Sequence, residues 1–123
     1  MPKDLRSSPE LVSSYARALD RLGLGDDAQK MLLKHLNEQW HYRFVESLGK
    51  LNHPLSEANQ EALEKFLSRF PDDKTLLLAL GRVCARSQKY VQACDYLEKA
   101  MSLSPNPEVL FQLAEAKSEM GDH

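Results

Sequence analysis

Apolar residues along this chain recur at intervals of three and four, as in Leu63, Phe66, Leu67 and Phe70, or Val109, Leu110, Leu113 and Ala114. That spacing gathers them on one face of an α-helix, and no stretch alternates apolar and polar residues convincingly enough to read as a strand. Pro9, Pro54, Pro71, Pro105 and Pro107 fall between the periodic stretches, while Gly23, Gly25 and Gly121 fall where stretches end. Start signals agree with this division. Ser8 precedes Pro9 and Glu10, Ser56 precedes Glu57, Asp72 and Asp73 precede the leucine run, and Asn106 precedes Pro107 and Glu108. Short polar side chains in those places cap the free amides of a first helical turn. The pattern predicts an all-α chain with helices at about 9–22, 26–39, 42–52, 56–70, 73–87, 90–103 and 107–120, seven in number.

The helices also repeat in pairs. The clearest copy reads Leu77, Leu80-Gly81 and Cys84 on one helix, then Ala93, Leu97 and Ala100 on the next, closed by Pro105. Sixty-five residues upstream stand Val12, Tyr15-Ala16, Leu19, Ala28 and Leu32. Between them lies a worn copy, Val45, Leu48-Gly49 and Asn52 followed by Ala62, Phe66 and Pro71, with Pro54 in a lengthened turn. Thirty-three residues beyond the clearest copy come Leu110, Leu113-Ala114 and Gly121. The period of 32 to 33 residues predicts three and a half units, 9–40, 41–73, 74–106 and an incomplete 107–123, in a single domain after a flanking segment 1–8. Ala16, Gly81, Ala28, Ala93 and Ala100 are small enough for helix axes to approach to about 8–10 Å, with the Leu and Tyr positions filling the groove beside them. A large side chain at Gly81 or Ala93 is expected to push its pair apart. One pair buries only one face, so neighbouring units complete the core.

The Leu80-Gly81, Ala93, Leu97 and Pro105 spacing resembles the tetratricopeptide repeat, which implies an α-solenoid of antiparallel helix pairs. The run LLLALGRVCARSQKYVQACDYLEKAMSLSPNPEVLFQLAEAKSEMGD, preceded by EALEKFLSRFPDD and RFVESLGKL, resembles the C-terminal part of the HemY-type proteins. Those are bacterial inner-membrane proteins associated with haem biosynthesis, with a tetratricopeptide region on the cytoplasmic side of an N-terminal anchor. The resemblance implies a non-catalytic interaction scaffold, trimmed from its anchor, with late haem-synthesis enzymes as partners. Two alternatives stay open: an adaptor or assembly factor of another bacterial pathway, and a carrier of haem or porphyrin.

Composition narrows the chemistry. With 123 residues, 28% of them charged and a net charge of −2, the chain offers no concentrated basic face for nucleic acid. Its longest apolar run, Leu76 to Leu80, is far shorter than the roughly 20 residues that span a bilayer, and no charged-then-apolar leader opens it. Cys84 and Cys94 lack metal-ligand spacing and read as free thiols of a reducing compartment. Gly23-Leu24-Gly25-Asp26-Asp27-Ala28 satisfies a dinucleotide fingerprint, but no strand precedes it and the two aspartates would repel a pyrophosphate. It reads as a turn between antiparallel helices. His35, His41 and His53 carry no haem-attachment or zinc spacing. No GxSxG occurs, and the paired carboxylates Glu61/Glu64 and Glu115/Glu119 lie on polar helical faces. Trp40, Tyr42 and Phe44 read as packing between units. The expectation is no catalytic residue, no cofactor and no metal.

One feature fits binding. Arg17, Lys50 and Arg82 occupy equivalent places on successive first helices, with Arg21 and Arg86 one turn further along. In proteins of the resembled repeat this edge usually lines the concave groove. Arginine grips carboxylates through two parallel hydrogen bonds, so the stripe is a candidate grip for an acidic peptide, with Leu78 as an apolar contact. The competing reading pairs Arg82 and Arg86 with Glu115 and Glu119 on the next helix. The lysine and asparagine of the two-carboxylate clamp known from chaperone-binding relatives have no counterparts, since Ser13, Arg17, Thr75 and Ala79 stand there. An apolar surface at Leu110, Leu113 and Ala114 is expected to be exposed and to allow a homodimer through the terminal helix.

Overall fold

The computed structural model of the chain describes residues 8–51 and 57–121. Its helices are α1 (Pro9–Arg21), α2 (Gly25–Glu38), α3 (Tyr42–Lys50), α4 (Glu57–Arg69), α5 (Lys74–Arg86), α6 (Tyr90–Leu103) and α7 (Pro107–Glu119). The fold is all-α, with no strand among the described residues. Three expected caps are in place. The side chains of Ser8, Asp73 and Asn106 accept hydrogen bonds from the amides of Leu11 at 3.3 Å, Leu76 at 2.9 Å and Val109 at 3.0 Å. The expected cap Ser56 lies outside the described residues. A fourth cap is unexpected: His41 Nδ1 accepts from the Arg43 amide at 3.1 Å and opens α3. Gly25, read as a stop, is instead the buried first residue of α2. Helix α3 ends two residues early because Leu51 turns extended, at ψ 141°.

The chain divides into two compact units, Met1–Leu55 and Ser56–His123. In the first, α1 and α2 form a hairpin and α3 packs against both. Its buried core holds Val12, Ala16, Ala28, Leu32, Leu36, Val45 and Leu48. Arg43 reaches Glu10 at 3.1 Å and its carbonyl accepts from Ser13 Oγ at 3.3 Å, tying α3 to α1. In the second unit α4 packs on α5, α5 on α6, and α7 on both α6 and α5. Leu77, Leu97, Ala100 and Val109 form one buried cluster there, and Cys84, Ala93, Cys94 and Ala116 another. A Cβ on Gly81 would sit 2.6 Å from Leu97 Cγ and Cδ2, so the glycine is what lets α6 seat its leucine against α5.

The repeat is visible in backbone bonding. After α1, Gly23 takes φ 82°, its amide donates to Asp20 O at 3.1 Å, and the Leu24 amide donates to Leu19 O at 2.8 Å. Sixty-five residues on, Gln88 takes φ 63°, its amide donates to Ala85 O at 3.1 Å, and the Lys89 amide donates to Cys84 O at 2.8 Å. Thirty-three further, Gly121 takes φ 73° and donates to Ser118 O at 3.0 Å. One left-handed residue therefore ends the first helix at the same register in three units, twice as glycine and once as glutamine.

Two side-chain expectations need correction. Tyr15, aligned with the fully buried Leu80, is 41% exposed. Of the expected apolar surface on α7, Leu110 and Ala114 are exposed, but Leu113 packs against both buried clusters of this unit, and Phe111, at 63% exposed, joins the surface instead.

Candidate functional site

Each unit carries a pocket between its first-type helices. In the first unit the pocket is walled by Ser13, Arg17 and Asp20 of α1, and by Glu46, Ser47, Lys50 and Leu51 at α3. In the second, the α5 wall is Arg82, Ala85 and Arg86, and the α7 wall is Gln112, Glu115, Ala116 and Glu119, with Tyr90 at the start of α6. The two pockets share one register. Adding 65 carries Arg17 to Arg82, Asp20 to Ala85, Ser47 to Gln112, Lys50 to Glu115 and Leu51 to Ala116. The chain thus builds the same feature twice, at the helix edge where the sequence placed its basic stripe.

They differ in size and charge. The second pocket holds about 310 Å³ against about 30 Å³ for the first. Alanine stands in it where the first has Asp20 and Leu51, and losing those two larger side chains opens the floor. Lys50 lies 3.7 Å from Glu46 on its own helix, and the equivalent of Lys50 is the acid Glu115.

Of the residues proposed from sequence, Arg17 and Lys50 line the first pocket and Arg82 and Arg86 line the second. Arg21 is exposed on the last turn of α1. Leu78 is half-buried and packs against the Leu77, Leu97, Ala100 and Val109 cluster, so most of its surface serves the core. Arg82 pairs with Glu108, an earlier acid on α7 than the expected Glu115, and its side chain is only 11% exposed. Tyr90, Gln112, Ala85 and Ala116 were missed. Shifting the first pocket's residues by 65 would have found Gln112, Ala85 and Ala116.

His41 caps α3, its ring stacks on Tyr42 at 4.9 Å, and Phe44 lies near both His41 and His35 at 5.7 and 5.6 Å. His53 lies outside the described residues, and no cluster of three or more possible metal ligands occurs among them. Cys84 and Cys94 are buried thiols, not joined in a disulfide. Burial pushes the Cys84 thiol from 9.0 up to about 11, helped by the negative charge of Glu64 and opposed by Lys89. Gln60 Nε2 donates to Cys84 Sγ at 3.6 Å, while the Tyr96 hydroxyl donates to Glu64 at 2.6 Å. Burial first, and that hydrogen bond second, raise the Tyr96 pKa. A thiol held protonated in this way is a poor nucleophile.

The chain is 30% identical over 103 residues to a TPR repeat-containing protein of Halalkalibacterium halodurans. That match supports a tetratricopeptide-repeat region. It covers 81% of the chain and 46% of the relative, so the chain spans about half the length of the curated relative it matches. No family model matches the chain, and no solved structure does. An all-α helical-repeat architecture fits both the relative's name and the helix pairs described above. Among the described residues no helix is long and apolar enough to cross a membrane.

Proposed function

We propose that this repeat region is a non-catalytic protein-interaction scaffold that receives polypeptide segments along the edge of its first-type helices, with 9–40, 41–73, 74–106 and 107–123 as units of one array. The observation that carries the reading is the recurrence of a pocket at the same register, 65 residues apart, in both compact units. A single surface dimple arises by chance; a dimple repeated with the helix pairs belongs to the architecture. Arg17, Arg21 and Lys50 are the binding residues of the first unit, and Leu78, Arg82 and Arg86 lie along the equivalent edge of the second, where Arg82 is already held by Glu108 and Leu78 packs on the core. Among the described residues Arg17 and Arg21 are in no ion pair, and the exposed Lys50–Glu46 pair, worth about 0.3–0.5 kcal/mol, yields readily to a ligand carboxylate. An acidic peptide lies across the first pocket with a carboxylate toward Arg17 and Lys50, which line it.

The finer reading is a HemY-type protein anchored on the cytoplasmic side of a bacterial inner membrane, with late haem-synthesis enzymes as partners. It is supported by the resemblance of the runs ending at Leu51, Asp73 and Asp122. The exposed Leu110, Phe111 and Ala114 on α7 support self-association through that helix. Binding of a fluorescent acidic peptide, rich in Asp and Glu, is the test. We expect saturable binding that weakens in Arg17→Ala and Arg21→Ala, whereas equal binding by these variants removes the basic stripe. Purified late haem-synthesis enzymes that fail to co-elute with the chain remove the finer reading alone. A sharp Soret band on mixing with haem, lost in His35→Ala or His41→Ala, would instead favour the carrier.

A further inference from the structure

The second pocket differs from the first in the charge left for a ligand. Arg82 is held by Glu108 and is nearly covered, so its guanidinium is already neutralised. Arg86 makes an interaction of its own as well. On the opposite wall Glu115 and Glu119 lie one turn apart on α7, exposed, and among the described residues neither carboxylate is in an ion pair or hydrogen bond. The floor between the walls is apolar and short, Ala85 and Ala116, and Tyr90 borders it.

We propose that the pocket between α5 and α7 accepts a basic side chain, Arg or Lys, of a partner polypeptide, opposite in polarity to the first pocket. The proposal rests on the groove reading above and deepens it. A long basic side chain suits each part of this cavity. Its methylene stem lies against alanine and tyrosine, as such stems do on apolar surface. Its cationic head meets two carboxylates one helical turn apart, and a guanidinium also favours an aromatic face such as that of Tyr90. The volume of about 310 Å³ admits such a side chain, which the tenfold smaller first pocket excludes. The exchange of Lys50 for Glu115 at equivalent places reverses which charge is welcome.

The test is a ¹H–¹⁵N titration of the full chain with three blocked Gly-Ser hexapeptides bearing one central Arg, Glu or Leu. The Arg peptide is expected to shift the amides of Ala85, Tyr90 and Ala116 saturably and more tightly than the other two. The double variant Glu115→Gln, Glu119→Gln, changed only at exposed positions, is expected to weaken it about fivefold. Tighter binding of the Glu peptide in this pocket, or Arg binding unaffected by the double variant, overturns the proposal and leaves the groove reading standing. If no peptide shifts residues of either pocket, the proposal and the groove reading fail together.

Discussion

Gly81 offers the sharpest test of how the helix pair is built. An alanine methyl there would lie 2.6 Å from Leu97 Cγ and Cδ2, where carbon atoms normally rest about 3.5–4.0 Å apart. The leucine must retreat by about 1 Å, yet it is fully buried, and Cγ is its branch point and not a mobile tip. Overpacking of this kind costs about 2–3 kcal/mol. Alanine's better helix propensity returns about 1 kcal/mol, leaving Gly81→Ala destabilised by about 1–2 kcal/mol. Urea unfolding followed by circular dichroism measures it. Leu97→Ala alone should cost about 2–5 kcal/mol through its cavity. In the double variant the clash is gone, so the two changes should couple favourably by about 2 kcal/mol. A Gly81→Ala protein more stable than the parent, or strict additivity in the cycle, refutes the close approach of α5 and α6.

Other outcomes follow from single positions. Gln88 is left-handed at φ 63°, so Gln88→Gly should stabilise by about 0.5–1 kcal/mol and raise Tm, while Gly23→Ala should lower it. Asp73→Ala and Asn106→Ala each remove a cap and should cost about 1 kcal/mol in thermal unfolding. Stability should also fall at alkaline pH. The Cys84 pKa is higher folded than unfolded, so its contribution is complete below pH 9.0 and is lost as pH rises through about 11. The whole effect is about 3 kcal/mol, and Tyr96, shifted in the same direction, adds to the fall at higher pH. Cys84→Ala should flatten the profile of Tm between pH 9.0 and about 11; an unchanged slope contradicts a buried protonated thiol.

Much of the architecture was legible because it rests on local rules. Three-and-four spacing, short polar caps and prolines between stretches place the described helices to within two residues, and the small Gly81 marks the tight approach, while only the structure shows that Leu97 is what it meets. What escaped was set by reach and by context. His41 caps α3 although histidine is not a usual capping residue, and Gln88 adopts a conformation normally left to glycine because the turn's hydrogen bonds hold it there. Tyr15 shares a register with Leu80 but not its burial. Arg82 meets Glu108 and not Glu115, since pairing depends on where a long side chain ends and not on helical equivalence alone. The second pocket exists because alanines replace Asp20 and Leu51, a change that draws attention only when the two pockets are aligned.

Sixty-five residues upstream of the Gly81–Leu97 contact, the buried Ala16 and Leu32 stand at the equivalent places of α1 and α2, so the same small-against-large helix contact should be built twice. Methyl-resolved NOE spectra of the chain test it most directly. Strong cross-peaks are expected from the Leu97 methyls to the Gly81 α-protons, and from the Leu32 methyls to the Ala16 methyl. Absence of both, in a sample whose amide spectrum is well dispersed, would contradict the repeated helix pair on which the functional reading stands.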